Sequence, residues 1–284
     1  MHEPALRAAA FGGGPLPDPA VTRGAGSPRE RLLAAVVLGA QGRYAAAATL
    51  LDALRRGRDP LLASLAASTL ASHRRQLGGH RRARPLDGEA FATAARLETE
   101  PDPDGLDAAG ARADALLGLA ADNLALGRLT AARRLAERAR AEHAGWRAEV
   151  RAGWVGAEIE LAAGQGADAV PHAERAFETA LARGARRHGV KSGIVLAVAL
   201  RAAGAPDHRK ISDDLVGNAM ATADECELLS LSWPAAHVAA DLRPGHAEEY
   251  RFRVAQVLHA VLRSADPCGR RVAGESPWVP VPGG

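Results

Sequence analysis

A phrase of small residues recurs along this chain, centred on Gly42, Gly78, Gly127, Gly164 and, less cleanly, Gly204. Seven residues before each glycine stands an alanine (Ala35, Ala71, Ala120, Ala157, Ala197). Five residues after the first four stands another (Ala47, Ala83, Ala132, Ala169). Seven positions further on come Leu54, Ala90, Ala139 and Ala176. Small side chains held in fixed register on both sides of a glycine let two helices approach closely around a turn. Repetition of such a unit builds an array of helical hairpins, each burying its apolar face against the next.

The apolar spacing agrees. Leu32, Leu33, Val36 and Val37 share one helical face, as do Leu50, Leu51 and Leu54 on the partner helix. Aromatic residues make up only 4% of the chain against 47% hydrophobic residues. The core must therefore come from close helix packing over alanine and leucine, and an all-α chain is expected. Successive turn glycines lie 36, 49, 37 and 40 residues apart, which places one insertion, at Glu98 to Asp107. That segment is acidic and broken by Pro101 and Pro103, lacks the order of a calcium loop, and reads as a solvated loop. After Gly204 a helix is expected near Arg209 to Asp224. A degenerate sixth hairpin follows from about Cys226 to Ser264, turning at Pro244-Gly245 with Ala235 and Ala247 as its small positions.

Residues 1–28 carry Gly12-Gly13-Gly14, Pro15, Pro17 and Pro19 without periodicity and read as a flexible N-terminal tail. The repeat domain is expected over residues 29–264. Residues 265–284, rich in proline and glycine, read as a disordered C-terminal tail, with docking as an extended polyproline segment the alternative. There is no run of about 18 apolar residues and the start Met1-His2-Glu3-Pro4 has no signal-peptide pattern, so a cytoplasmic protein is expected, with Cys226 and Cys268 reduced.

With small residues in these positions, the array resembles the tetratricopeptide repeat (TPR), in a divergent TPR-like form of uncharacterised high-GC bacterial type. Tyr44 and His80 keep a ring just after the turn, and Ser72-His73-Arg74-Arg75-Gln76-Leu77-Gly78 is the most distinctive phrase. The stretch from Ala223 to Ala235, with Leu228-Leu229 followed by Trp233-Pro234, is similar to divergent repeats of large bacterial transcription activators. The resemblance implies a right-handed α-α superhelix of about six hairpins whose first helices line a concave, partner-binding face. Carried onto this chain, that geometry makes Leu65, Ser68, Thr69, Ser72, Arg75 and Gln76 the contacts of the second repeat, and Asp114, Leu117, Ala121 and Leu124 those of the third. The fourth supplies Arg151, Trp154, Glu158 and Leu161, and the fifth Lys191, Ile194, Val198 and Arg201. Leu117, Leu124 and Leu161 have packing against a neighbouring repeat or the chain's own tail as their alternative role.

The densest charge lies at His73, Arg74 and Arg75 and at His80, Arg81, Arg82 and Arg84. Positive charge suits the end of the first helix and opposes the start of the second. Pro85 either interrupts that second helix or marks its start, leaving residues 78–84 as a loop. A bound phosphate or carboxylate, a solvated basic turn, and ion pairs to Asp87 and Glu89 are the three readings of the cluster. Lysine occurs only at Lys191 and Lys210 among 36 basic residues, balanced by 33 acidic ones, which suggests a GC-rich genome more readily than selection for anion binding. No metal-ligand spacing, nucleophile elbow, dinucleotide fingerprint or P-loop is found, so no metal, no cofactor and no enzyme activity are expected. The expected function is a non-enzymatic scaffold that binds a protein or peptide, preferentially acidic. The alternative is a nucleic-acid-associated transcriptional regulator binding phosphates through residues 74–84.

Overall fold

The computed structural model describes residues 2–15, 17 and 19–280, and among these the chain is all-α, with fifteen α-helices, one short 3-10 turn and no strand. Twelve of the helices pair consecutively. The pairs are α3 (Pro28–Ala40) with α4 (Tyr44–Arg55), α5 (Pro60–Gln76) with α6 (His80–Ala94), and α7 (Ala108–Ala125) with α8 (Leu129–Arg140). They continue as α9 (Trp146–Ala162) with α10 (Gly166–Ala182), α11 (Arg186–Ala203) with α12 (His208–Glu225), and α13 (Leu229–Leu242) with α14 (Ala247–Arg263). Short helices α1 (Glu3–Phe11), α2 (Pro19–Arg23) and α15 (Pro267–Gly274) flank them.

Local chemistry explains where several helices begin. Ser27 and Glu30 form a reciprocal capping box at α3, with Pro28 on the first turn. The Asp59 carboxylate accepts hydrogen bonds from Leu61 N (2.9 Å) and Leu62 N (3.1 Å), and Asp107 caps α7 by accepting from Gly110 N at 2.7 Å. Each hairpin of the recurring phrase turns at its glycine: Gly42, Gly78, Gly127, Gly164 and Gly204 all have φ between 73° and 75°, a conformation that side chains with a Cβ resist. The flanking alanines Ala35, Ala71, Ala120, Ala157 and Ala197 are fully buried, as are Ala47, Ala83, Ala132 and Ala169.

The first helices of the pairs form an inner row. Contacts run from α3 to α5, α5 to α7, α7 to α9, α9 to α11 and α11 to α13, and α13 returns to touch α3. The two ends of the array meet there. Ala45 N donates to Ser264 O at 2.8 Å, and Arg74 forms an ion pair with Asp266 at 2.7 Å.

Four sequence expectations differ from the structure. The N-terminal tail is not free: α1 buries Leu6, Ala10 and Phe11, and Arg186 N donates to Gly12 O at 3.3 Å. The C-terminal tail is folded in part, since α15 buries Val272 and Ala273 and Val279 is buried beyond it. A helix of this length cannot sustain itself, so its order comes from the surface it covers. Met1, Leu16, Asp18 and residues 281–284 of the two tails lie outside the described residues. The acidic insertion is not simply solvated. Arg7 reaches Asp102 (3.0 Å) and Asp104 (2.6 Å), and Arg29 pairs with Asp102 and with Glu3 (2.9 Å), so the loop fastens α1 and α3. Pro85, finally, neither breaks nor starts α6: it sits inside the helix on its exposed side, where water can satisfy the carbonyl it leaves free.

Candidate functional site

The inner helices converge on two adjoining cavities. The outer one, of about 730 Å³, is lined by Ser72, Arg75 and Gln76 of α5, by Leu117, Ala121 and Leu124 of α7, and by Arg151, Trp154, Val155 and Glu158 of α9. Arg187, Lys191 and Ile194 of α11, Ser230, Leu231 and Trp233 of α13, His80, and Trp278 after α15 complete it. The lining shifts from the C-terminal halves of α5 and α7 to the N-terminal ends of α11 and α13. The inner cavity, of about 90 Å³, lies among α5, α9 and α11 beneath Phe11 of α1, and its walls include Ser68, His73, Asp114, Arg147 and His188. Ser72, Arg151, Trp154 and Arg187 belong to both.

Most charged walls are internally paired. Arg75 Nη1 donates to Asp87 Oδ2 (2.5 Å), Asp122 Oδ2 (3.1 Å) and Gly118 O (3.3 Å), and His80 Nδ1 lies 3.1 Å from Asp122 Oδ1. One guanidinium thus faces two fully buried carboxylates. Burial pushes the Asp87 carboxyl up to about 7, with Asp122 adding to the rise and Arg75 opposing it. Asp114 is clamped by Arg147 and Arg151. Burial opposes its charge, yet the two guanidiniums hold it below the usual carboxylate range. Lys191 pairs with Glu158 at 3.0 Å, and its ammonium stands 6.0 Å from the Trp154 ring. Trp154 Nε1 donates to Ser192 Oγ at 2.8 Å, and its ring stacks on His188 with centroids 5.7 Å apart.

Arg187 is the exception. Its guanidinium takes no hydrogen bond or ion pair among the described residues. Burial lowers its pKa to about 10, against the pull of Tyr44 and with Arg147 and Arg151 adding to the fall. The same burial, with Arg187, Arg147 and Arg151 nearby, drives His188 well below the ordinary imidazole value, and burial lowers His73 to about 3. Both imidazoles are neutral at pH 7. Ser68 Oγ, His73 Nδ1 and His188 Nδ1 have no hydrogen-bond partner, although each residue is only 3% exposed.

The structure gathers Ser72, Arg75, Gln76, Arg151, Trp154, Glu158, Lys191 and His80 around the outer cavity and Ser68, His73 and Asp114 around the inner one. It does not assemble the basic run into one site. Arg74 is buried and paired with Asp266, while Arg81, Arg82 and Arg84 are exposed on the opening turns of α6, away from both cavities. The expected partners go elsewhere: Asp87 pairs with Arg75, and Glu89 with Arg55 at 2.7 Å. Leu161, Val198 and Arg201 line neither cavity, and Arg201 pairs with Asp213 at 3.0 Å. Leu117 is both core and wall. Sequence reasoning missed Arg187, His188, Trp233, Trp278 and Phe11. Arg187 was within reach, because it precedes Lys191 by four residues on the same helical stripe.

No protein-family model matches the chain, and no curated protein matches it. Among solved structures, BtubC (BKLC) from P. vanneervenii is similar to it, with 18% sequence identity over 85% of this chain and 94% of that one and a TM-score of 0.43. Among the described residues no group of three or more His, Cys, Asp or Glu side chains could hold a metal ion, and no helix is long and apolar enough to cross a membrane.

Proposed function

We propose that the chain is a non-enzymatic, TPR-like helical-repeat scaffold that binds a short acidic peptide segment in the outer cavity. One observation carries this reading: first helices of successive hairpins direct both apolar and cationic side chains into one open space of ligand size. Leu117, Leu124, Ile194 and Trp233 offer apolar contact, and Arg187 offers a charge that nothing among the described residues neutralises. Arg75, Arg151 and Lys191 are already engaged by carboxylates, so they shape the wall and contribute less to recognition.

Selection from a displayed random-peptide library tests this. Enrichment of segments combining an acidic residue with aliphatic ones is expected, with binding lost in Ala121→Trp, which puts an indole into the cavity without removing any ion-pairing side chain. Failure of the wild type to enrich any sequence, or equal enrichment by both proteins, refutes the reading. Nucleic-acid association is favoured by one observation only, the exposed Arg81, Arg82 and Arg84, which take no ion pair among the described residues. It predicts binding that falls steeply and linearly with salt on logarithmic axes.

A further inference from the structure

The inner cavity combines features that a purely structural void lacks. Its walls carry Arg147, Arg151 and Arg187 against the single carboxylate of Asp114, a surplus of two positive charges with both histidines neutral. Buried charge without a counter-charge is costly, and so are buried polar atoms without partners. Here the half-buried Arg187, whose guanidinium has no ion pair among the described residues, lines the same cavity as Ser68, His73 and His188, whose Oγ, Nδ1 and Nδ1 atoms are buried without a partner. The depressed pKa of Arg187 reports the same imbalance.

We propose that the inner cavity is a binding site for a phosphate-class oxyanion, held by Arg187 with Ser68, Ser72, His73 and His188. An arginine fork recognises phosphate oxygens, and hydroxyls and neutral imidazoles each supply a donor without adding charge. These donors come from two helices, α5 and α11, on different sides of the space. Such a spread suits a tetrahedral anion better than a planar carboxylate. Because Ser72, Arg151, Trp154 and Arg187 also line the outer cavity, a phosphate at the end of a larger ligand would place its body there. This names the group recognised by the scaffold proposed above and rests on that reading only for the body of the ligand. The anion site is tested with phosphate alone, so its failure is distinct from failure of the peptide selection.

The experiment is thermal unfolding and titration calorimetry of the full chain with inorganic phosphate, phenyl phosphate and acetate, at ionic strength held constant with sodium chloride. Phosphate is expected to raise the wild-type Tm saturably, because a ligand of the folded state stabilises it by mass action, and acetate is expected to do so much less. Arg187→Met should bind phosphate at least tenfold more weakly and, without phosphate, melt above the wild type because an unpaired cation is gone. Arg187→Lys, which keeps the charge but loses the fork, should fold and also bind more weakly. Tighter binding of phenyl phosphate, reversed by Ala121→Trp, assigns the site to a phosphomonoester group; equal affinities assign it to free phosphate. A wild-type Tm indifferent to phosphate, an equal response in Arg187→Met, or an acetate response matching that of phosphate overturns the proposal.

Discussion

Glu30 shows how much one side chain can be asked to hold. Its carboxylate accepts from His2 N (2.6 Å), Ser27 N (3.1 Å) and Gly26 N (3.0 Å), which lowers its pKa from 4.5 to about 2. Asp102 is likewise held at about 2: burial works against its charge, but Arg7 and the backbone N–H groups of Asp104 and Leu106 outweigh it. For both, the folded pKa lies below the unfolded one, so their contribution is complete above the unfolded value and is lost as pH falls toward 2. Asp87 runs the other way. With its folded pKa raised from 3.8 to about 7, the folded state binds more protons between those values, and this group makes the protein less stable as pH rises from about 4 to 7. Urea unfolding at several pH values should show wild-type stability climbing from pH 2 to about 4.5. Glu30→Gln should flatten that climb, and Asp87→Asn should gain relative to wild type between pH 4 and 7; parallel curves for the wild type and both variants would contradict the assignment. These networks were not legible in the sequence. Arg75 finds Asp87 and Asp122 at separations of 12 and 47 residues, and Arg74 finds Asp266 at 192, so no local spacing announces them.

Among the elements, the hairpins were readable and the flanking helices were not, for one physical reason. A glycine at positive φ between alanines at fixed offsets is a local requirement of two helices in close contact, and it leaves its mark within about twenty residues of chain. Helix α1 leaves no such mark, because its order depends on Leu6 and Phe11 entering the main core and on Arg7 bridging to Asp102 and Asp104. The candidate site divides in the same way. Repeat register led to the wall positions on α5, α7 and α9, whereas Phe11 and Trp278 arrive from segments with no repeat at all. Leu6→Ala should cost about 2–5 kcal/mol of α1 docking. Amide hydrogen exchange should then rise in residues 3–11 and 102–107 and stay unchanged in α13 and α14. Uniform exchange across the chain would instead mean that α1 is integral to a single folding unit.

At the scale of the molecule, the decisive question is whether the array behaves as a row or as a closed circuit. In a row, each hairpin answers only to its neighbours and stability is a sum of local terms. In a circuit, the contact of α13 and α14 with α3 and α4 couples the two ends. The turn glycines separate these cases. Gly42, Gly127 and Gly164 share the same φ, so replacing any of them with alanine incurs the same backbone strain, about 1–2 kcal/mol. A Cβ at Gly127 or Gly164 meets nothing within 4 Å, while one at Gly42 comes within 2.8 Å of Val261 Cγ2 on α14. Gly42→Ala should therefore cost about 1–3 kcal/mol more than the other two, the usual range for overpacking. Val261→Ala, by removing the obstructing methyls, should recover most of that excess in the double variant. Equal losses at all three glycines in denaturant unfolding would show that the first and last hairpins do not bear on one another in solution. The outer cavity, which takes walls from both α5 and α13, would then lose its closed side.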